Sequence, residues 1–141
     1  MPAPVAPAAS PIAAEPPGAI VCPVLHCVLR AGRLENVEIA YVRGDSSYNR
    51  RPISVAFPTD STYALNASWY RDKEPIVVGG RVYVKYGLPR IIGSTEVVPV
   101  AVFRGVPVFA EPTSDRQHPD VIYIPVQPGC EFQPYQNQVG P

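Results

Sequence analysis

Nineteen of the 141 residues are proline, and they are spread so that few windows can hold a long helix. Each proline fixes φ and removes a backbone donor, which breaks an α-helix anywhere past its first turn. The two long windows that escape are Leu25 to Arg51 and Thr59 to Glu74. The densest β-branched and aromatic stretch lies elsewhere, from Ile76 to Phe109, and β-branched and aromatic side chains suit a pleated surface. Within it Gly79-Gly80 separates two apolar runs, and paired glycines reach the positive φ angles that a two-residue hairpin turn demands. Arg104-Gly105 divides Val100 to Phe103 from Val106 to Phe109 in the same way, and Pro107 directs its strand toward a sheet edge.

The remaining elements follow from the same punctuation. Ala19 to Leu29 reads as a strand interrupted at Pro23, and Ala31-Gly32 turns it back into Leu34 to Val42, where Val37, Ile39 and Tyr41 alternate with Glu38 and Ala40. Gly44 to Asn49 reads as a polar loop, and Ile53, Val55 and Phe57 as a short alternating strand closed by Pro58. Between Thr59 and Glu74 the pattern allows one short helix, capped by Asp60 or Ser61, with Leu65 and Trp69 on one face. Pro112 to Pro119 is a loop, Val121 to Val126 the last strand, and Gln127 opens a polar tail. The expected fold is all-β, a small antiparallel barrel or sandwich with at most one short helix. We expect residues 1–18 to be an extended Pro/Ala-rich tail, residues 19–135 a single β domain, and residues 136–141 a polar C-terminal tail. As polyproline II, the segment from Met1 to Pro17 would reach about 50 Å at roughly 3.1 Å per residue.

Twelve basic and twelve acidic residues, scattered singly, give a formal net charge of zero. A chain so balanced carries no electrostatic footprint for a nucleic-acid backbone or an anionic membrane, so no nucleic acid is expected as a partner. No stretch approaches the roughly 20 apolar residues of a transmembrane helix. The N-terminus lacks the basic and apolar regions of a signal peptide. A Pro/Ala-rich tail ahead of a cysteine-containing β domain reads as the mature form of an exported protein, whether secreted, extracellular or periplasmic.

The three cysteines are Cys22, Cys27 and Cys130. A bridge from the first strand to Cys130 would staple the chain ends, whereas Cys22 and Cys27 would stand about 16 Å apart in a regular strand, too far to pair. An odd total leaves one thiol over. The same residues admit sharper chemistry. Cys22, His26 and Cys27 with Cys130 or His118 have zinc-binding side chains, but their C-x3-H-C spacing is not a usual structural-site pattern. Cys27 as a nucleophile with His118 and Asp115 or Asp120 lacks a motif that would activate the thiol. Val21 before Cys22 speaks against a lipid anchor. Around Tyr83 to Arg90, Lys85 and Arg90 offer cations and Tyr83 and Tyr86 flat surfaces. Simple alternation, with Val82, Val84 and Tyr86 on one side and Arg81, Tyr83 and Lys85 on the other, accounts for them as a half-buried strand with exposed tyrosines. Arg43-Gly44-Asp45 and the sequon Asn66-Ala67-Ser68 are too short to shape the reading.

The pattern therefore points to an exported, non-catalytic structural or interaction protein of an extracellular or cell-surface assembly, with no cofactor and no metal. Its expected partner is protein, either copies of itself in a homo-oligomer or an envelope component. Pro99, Pro107 and Pro125 blunt the strands, while the tail through Pro2, Pro4, Pro7, Pro11, Pro16 and Pro17, and the strand carrying Val121, Tyr123 and Val126, would meet the partner. The competing expectation is a small periplasmic enzyme or ligand-binding domain using Cys27, His26 and His118.

Overall fold

The computed structural model describes residues 21–42 and 45–138. In chain order the elements are β1 (Val21–Arg30), β2 (Arg33–Val42), β3 (Asp45–Tyr48), β4 (Arg51–Pro52), α1 (Ile53–Ala56), α2 (Ser68–Arg71), β5 (Ile76–Val78), β6 (Arg81–Lys85), β7 (Arg90–Ile91), β8 (Val98–Phe103), β9 (Val106–Ala110), β10 (Val121–Gln127) and β11 (Glu131–Asn137). The protein is all-β, with two one-turn helices among the described residues, and from β2 onward the paired strands run antiparallel. One sheet runs β1-β2-β3-β4, and a seven-stranded sheet, curled into a half-barrel, runs β5-β6-β11-β10-β9-β8 with β7 also on β11.

Contacts divide the chain into two units. Of the described residues, the smaller comprises 21–25, 38–42 and 45–56, the larger 26–37 and 57–138, and β1 and β2 run through both. In the smaller unit β2 pairs with β3 through Ala40↔Ser47 and Tyr41↔Ser46, and β3 with β4 through Tyr48↔Arg51. Two sequence expectations change here. The polar loop over Gly44 to Asn49 contains β3, whose serines sit on half-exposed positions that a hydrophobic pattern does not mark. The strand over Ile53 to Phe57 is replaced by α1: Pro52 closes β4, and proline is well placed just ahead of a helical turn.

The larger unit is organised around β10 and β11. Ile122, Ile124 and Val126 of β10 and Tyr135 of β11 pack with Ala64, Trp69, Tyr70, Ile76, Tyr83, Val106 and Val108. The opposite faces of the same two strands bury Tyr123 and Phe132 with Phe109, Ile92, Val97 and Cys130, and Cys27, Leu29 and Leu34 lie over them. Strands covered on both faces cannot alternate polar and apolar residues, which is why β10 reads as a nearly unbroken apolar run.

β11 is the largest departure from the sequence reading. The polar tail expected from Gln127 is in fact the strand with three paired neighbours, and it continues to Asn137, past the boundary set at residue 135. Gln133 disguised it, because a glutamine is seldom a core residue. Here it is 1% exposed and fully bonded. Its Nε2 donates to the carbonyls of Tyr86 (2.9 Å), Gly87 (3.1 Å) and Pro134 (3.2 Å), and its Oε1 accepts from the Tyr70 hydroxyl at 3.1 Å.

Prolines shape the sheet in an unexpected place. Pro99 lies on the edge strand β8 beside a bulge, as its missing donor requires. Pro107, expected at an edge, lies in β9, between β8 and β10. The β9–β10 ladder passes through Tyr123↔Phe109, and extending that register sets Pro107 opposite Pro125. Neither proline has an N–H to offer the other strand, so the carbonyls at this end of β10 need donors from elsewhere. The backbone N–H of Ala64 supplies one to Pro125 (2.9 Å), and that of Leu65 another to Val126 (3.1 Å). Those commitments limit the helix expected between Thr59 and Glu74 to α2. Asp60 does not cap it; its carboxylate accepts the N–H of Thr62 at 3.0 Å in a local turn.

Replacing Gln133 with Leu keeps the volume and removes every one of these bonds, leaving the Tyr86 and Gly87 carbonyls and the Tyr70 hydroxyl without their partner. The variant is expected to lose on the order of 2–4 kcal/mol in urea unfolding, since each stranded buried group costs about 1–3 kcal/mol. A loss below about 0.5 kcal/mol would mean that the amide does not hold β11 in place.

Candidate functional site

The hairpin of β5 and β6 turns through Gly79 (φ 59°) and Gly80 (φ 79°), which fixes the pairs Ile76↔Tyr83, Val77↔Val82 and Val78↔Arg81. Paired residues share a face, so one face carries Ile76, Val78, Arg81 and Tyr83 and the other Val77 and Val82. The tyrosine decides which face goes inside. Tyr83 is 1% exposed, and its hydroxyl donates to the Pro119 carbonyl at 2.6 Å. Arg81 follows it inward and donates to the His118 carbonyl at 2.9 Å. Lys85 donates to the Tyr70 carbonyl at 2.9 Å, with its ammonium 3.6 Å from the centre of the Tyr70 ring. Burial, reinforced by the neighbouring Lys73, pushes the Lys85 amine below its ordinary pKa, and burial raises the Tyr83 phenol.

This inverts the exposed-tyrosine reading of β6. Val77 and Val82, 57% and 37% exposed, form an apolar cross-strand pair facing outward, and Tyr86 continues the stripe beyond the strand. The sequence held one usable signal: Ile76 opposite Tyr83 offers more area to bury than Val77 opposite Val82.

A second cluster surrounds the disulfide. Cys27 and Cys130 are bridged, with their Cα atoms 5.2 Å apart, and the Gly129 N–H donates to the Cys27 carbonyl at 2.7 Å. Their separation of 103 residues closes a loop for which chain entropy alone gives about 4–5 kcal/mol of stabilisation. The bridge takes up the thiol that the nucleophile reading assigned to Cys27 and two of the sulfurs that the zinc reading offered. Among the described residues no three His, Cys, Asp or Glu side chains are grouped to hold a metal ion. His26 lies beside the bridge against Phe57, ring centres 6.2 Å apart, and Arg30 stacks on the same phenylalanine. The His26 Nε2 is buried with no hydrogen-bond partner among the described residues, and burial lowers the pKa of the ring.

The other candidate residues are dispersed. His118 belongs to the loop before β10, where Asp115 accepts the N–H groups of Gln117 and His118. Arg90 stacks on Tyr123 and donates to its hydroxyl at 3.0 Å. Val121, Tyr123 and Val126 lie in β10, flanked by β9 and β11, and so present no open strand edge to a partner, because the strand that pairs beyond them is β11. Pro2, Pro4, Pro7, Pro11, Pro16 and Pro17 fall outside the described residues, as do Arg43 and Gly44, and the Cys22 side chain is likewise not described. Asn66 is exposed in the turn before α2. Among the described residues no helix is long and apolar enough to cross a membrane. No protein-family model, curated protein or solved structure matches the chain.

His26 makes the fold sensitive to acid. Its folded pKa lies below the ordinary 6.5, so the unfolded chain binds the proton more readily, and stability present above pH 6.5 is lost as pH falls toward and through the folded value. In thermal melts between pH 8 and pH 5 the unaltered protein should lose more stability than His26→Phe across this window. Identical slopes for the two would remove His26 as the cause.

Proposed function

We propose that the protein is an exported, non-catalytic β module that works by association with another protein, either copies of itself or a component of the cell envelope. The observation that carries this reading is the outward Val77–Val82 pair, continued by Tyr86, on a rigid hairpin whose polar and aromatic residues have been drawn inward. An apolar stripe of this kind gains free energy when covered: fully burying a valine is worth about 1.5–3 kcal/mol, enough to anchor a larger contact once the cost of association is met. The Cys27–Cys130 bridge is compatible with an oxidising compartment, where such bonds persist. The Pro/Ala-rich tail supplies a second, extended contact in the same reading.

The stripe can be altered without disturbing the core, because both valines point outward. Val77→Lys with Val82→Glu, which sets opposite charges across the pair, should leave the thermal midpoint nearly unchanged. Static light scattering over a range of concentrations should show assembly of the unaltered chain, alone or with an envelope extract fraction, and a monomeric double variant. Equal masses for the two proteins under every condition would take the stripe out of the account.

A further inference from the structure

The curled sheet brings its two end strands, β5 and β8, into contact, yet among the described residues no backbone pairing joins them. Where they meet, the sheet leaves a cavity of about 360 Å³. Its apolar side is Val78 from β5, with Val100 and Ala101 from β8 at the bulge that follows Pro99, and Gly79, Gln117 and Pro119 complete the lining. Its floor is the ring of Tyr83, buried and held by the bond to Pro119. Arg116 and His118 line the rim on a loop that is well fixed, through Asp115 beneath its N–H groups and through Arg81 bonded to the His118 carbonyl. Asp115 is engaged with the backbone, and among the described residues neither Arg116 nor His118 forms an ion pair.

Binding cavities favour the mouths of β-barrels, and most combine an apolar lining with a few converging polar groups in volumes from about 300 Å³ upward. The seam lies at the open side of the half-barrel and joins apolar side chains with the polar Arg116 and His118 in a volume within this range. We propose that this seam binds a small amphiphilic carboxylate, a single ring or short aliphatic chain lying between Val78, Val100 and Ala101, with its carboxylate against the Arg116 guanidinium at the rim. A planar guanidinium meets a carboxylate through two parallel hydrogen bonds, so the rim selects the anion while the walls select its apolar body. The site is separate from the association stripe: Val78 and Tyr83 face inward, Val77 and Val82 outward.

The test is a titration of the full chain with phenylpropionate, followed by amide chemical shifts. Saturable shifts at Val78, Val100 and Ala101 with a dissociation constant on the order of millimolar or tighter are expected, as suits a ligand of this size. The neutral amide of the same compound should bind about tenfold more weakly, and Arg116→Gln should weaken the acid by about the same factor, the worth of one charge-assisted contact. Ala101→Leu, with its fold verified by thermal melting, should abolish binding by filling the seam. Arg116 is exposed, so its variant reports even if the alanine variant fails to fold. Absence of saturable shifts, equal affinity for acid and amide, or undiminished binding to a folded Ala101→Leu would each overturn the proposal.

Discussion

The buried amide of Gln133 is the interaction on which the larger unit depends. β6 and β7 both pair with the same edge of β11, and the chain between them leaves that edge after Tyr86, whose N–H still donates to the Pro134 carbonyl at 3.2 Å. An interruption in a ladder frees carbonyls that cannot be buried unpaired without cost. Gln133 projects from β11 at this gap and takes the Tyr86 and Gly87 carbonyls, while its own oxygen accepts from the hydroxyl of Tyr70, a core residue of α2. One side chain thereby ties β11 to the Tyr86–Gly87 turn and to α2, beyond the last backbone bond from Tyr86 to Pro134. Nearby, the Tyr135 hydroxyl is buried with no hydrogen-bond partner among the described residues, and burial raises its pKa.

The prolines work by the same rule of satisfied backbone groups. Pro107 opposite Pro125 opens the β9–β10 ladder, and the chain around Ala64 and Leu65 closes it by donating into β10. A single device thus fixes the segment that carries Tyr63, whose hydroxyl in turn accepts the Leu29 N–H at 3.0 Å. Leu29 and Cys27 lie over the second face of β10 and β11, where the disulfide secures them. Core, loop and bridge are therefore successive consequences of two strands that must be covered on both sides.

Much of this was legible. A glycine marked each of the turns at Ala31-Gly32, Gly79-Gly80 and Arg104-Gly105, where Gly32, Gly79, Gly80 and Gly105 all have positive φ, and the proline count excluded long helices. Distance along a regular strand spoke against a Cys22–Cys27 bridge and pointed Cys130 to the first strand, but it did not choose between Cys22 and Cys27; the structure pairs Cys27 with Cys130. What stayed hidden depended on tertiary partners. Gln133 and Pro134 look like a tail until the carbonyls they serve are known. Pro107 looks like an edge residue until the Ala64 donor is placed. The orientation of β6 turned on the bond from Tyr83 to Pro119, a residue 36 positions away, and the outward stripe is its direct result. Position along the chain also misled for Val121 to Val126, because a strand that reads as last need not lie at the edge.

Hydrogen exchange followed by mass spectrometry tests the central role of β11 most directly. If β11 is an inner strand clasped by Gln133, the amides of Phe132, Gln133 and Tyr135 should exchange as slowly as those of Ile122 and Ile124 in β10, through global unfolding alone. Exchange of the β11 amides at the rate of an unstructured peptide, while β10 remains protected, would contradict the account.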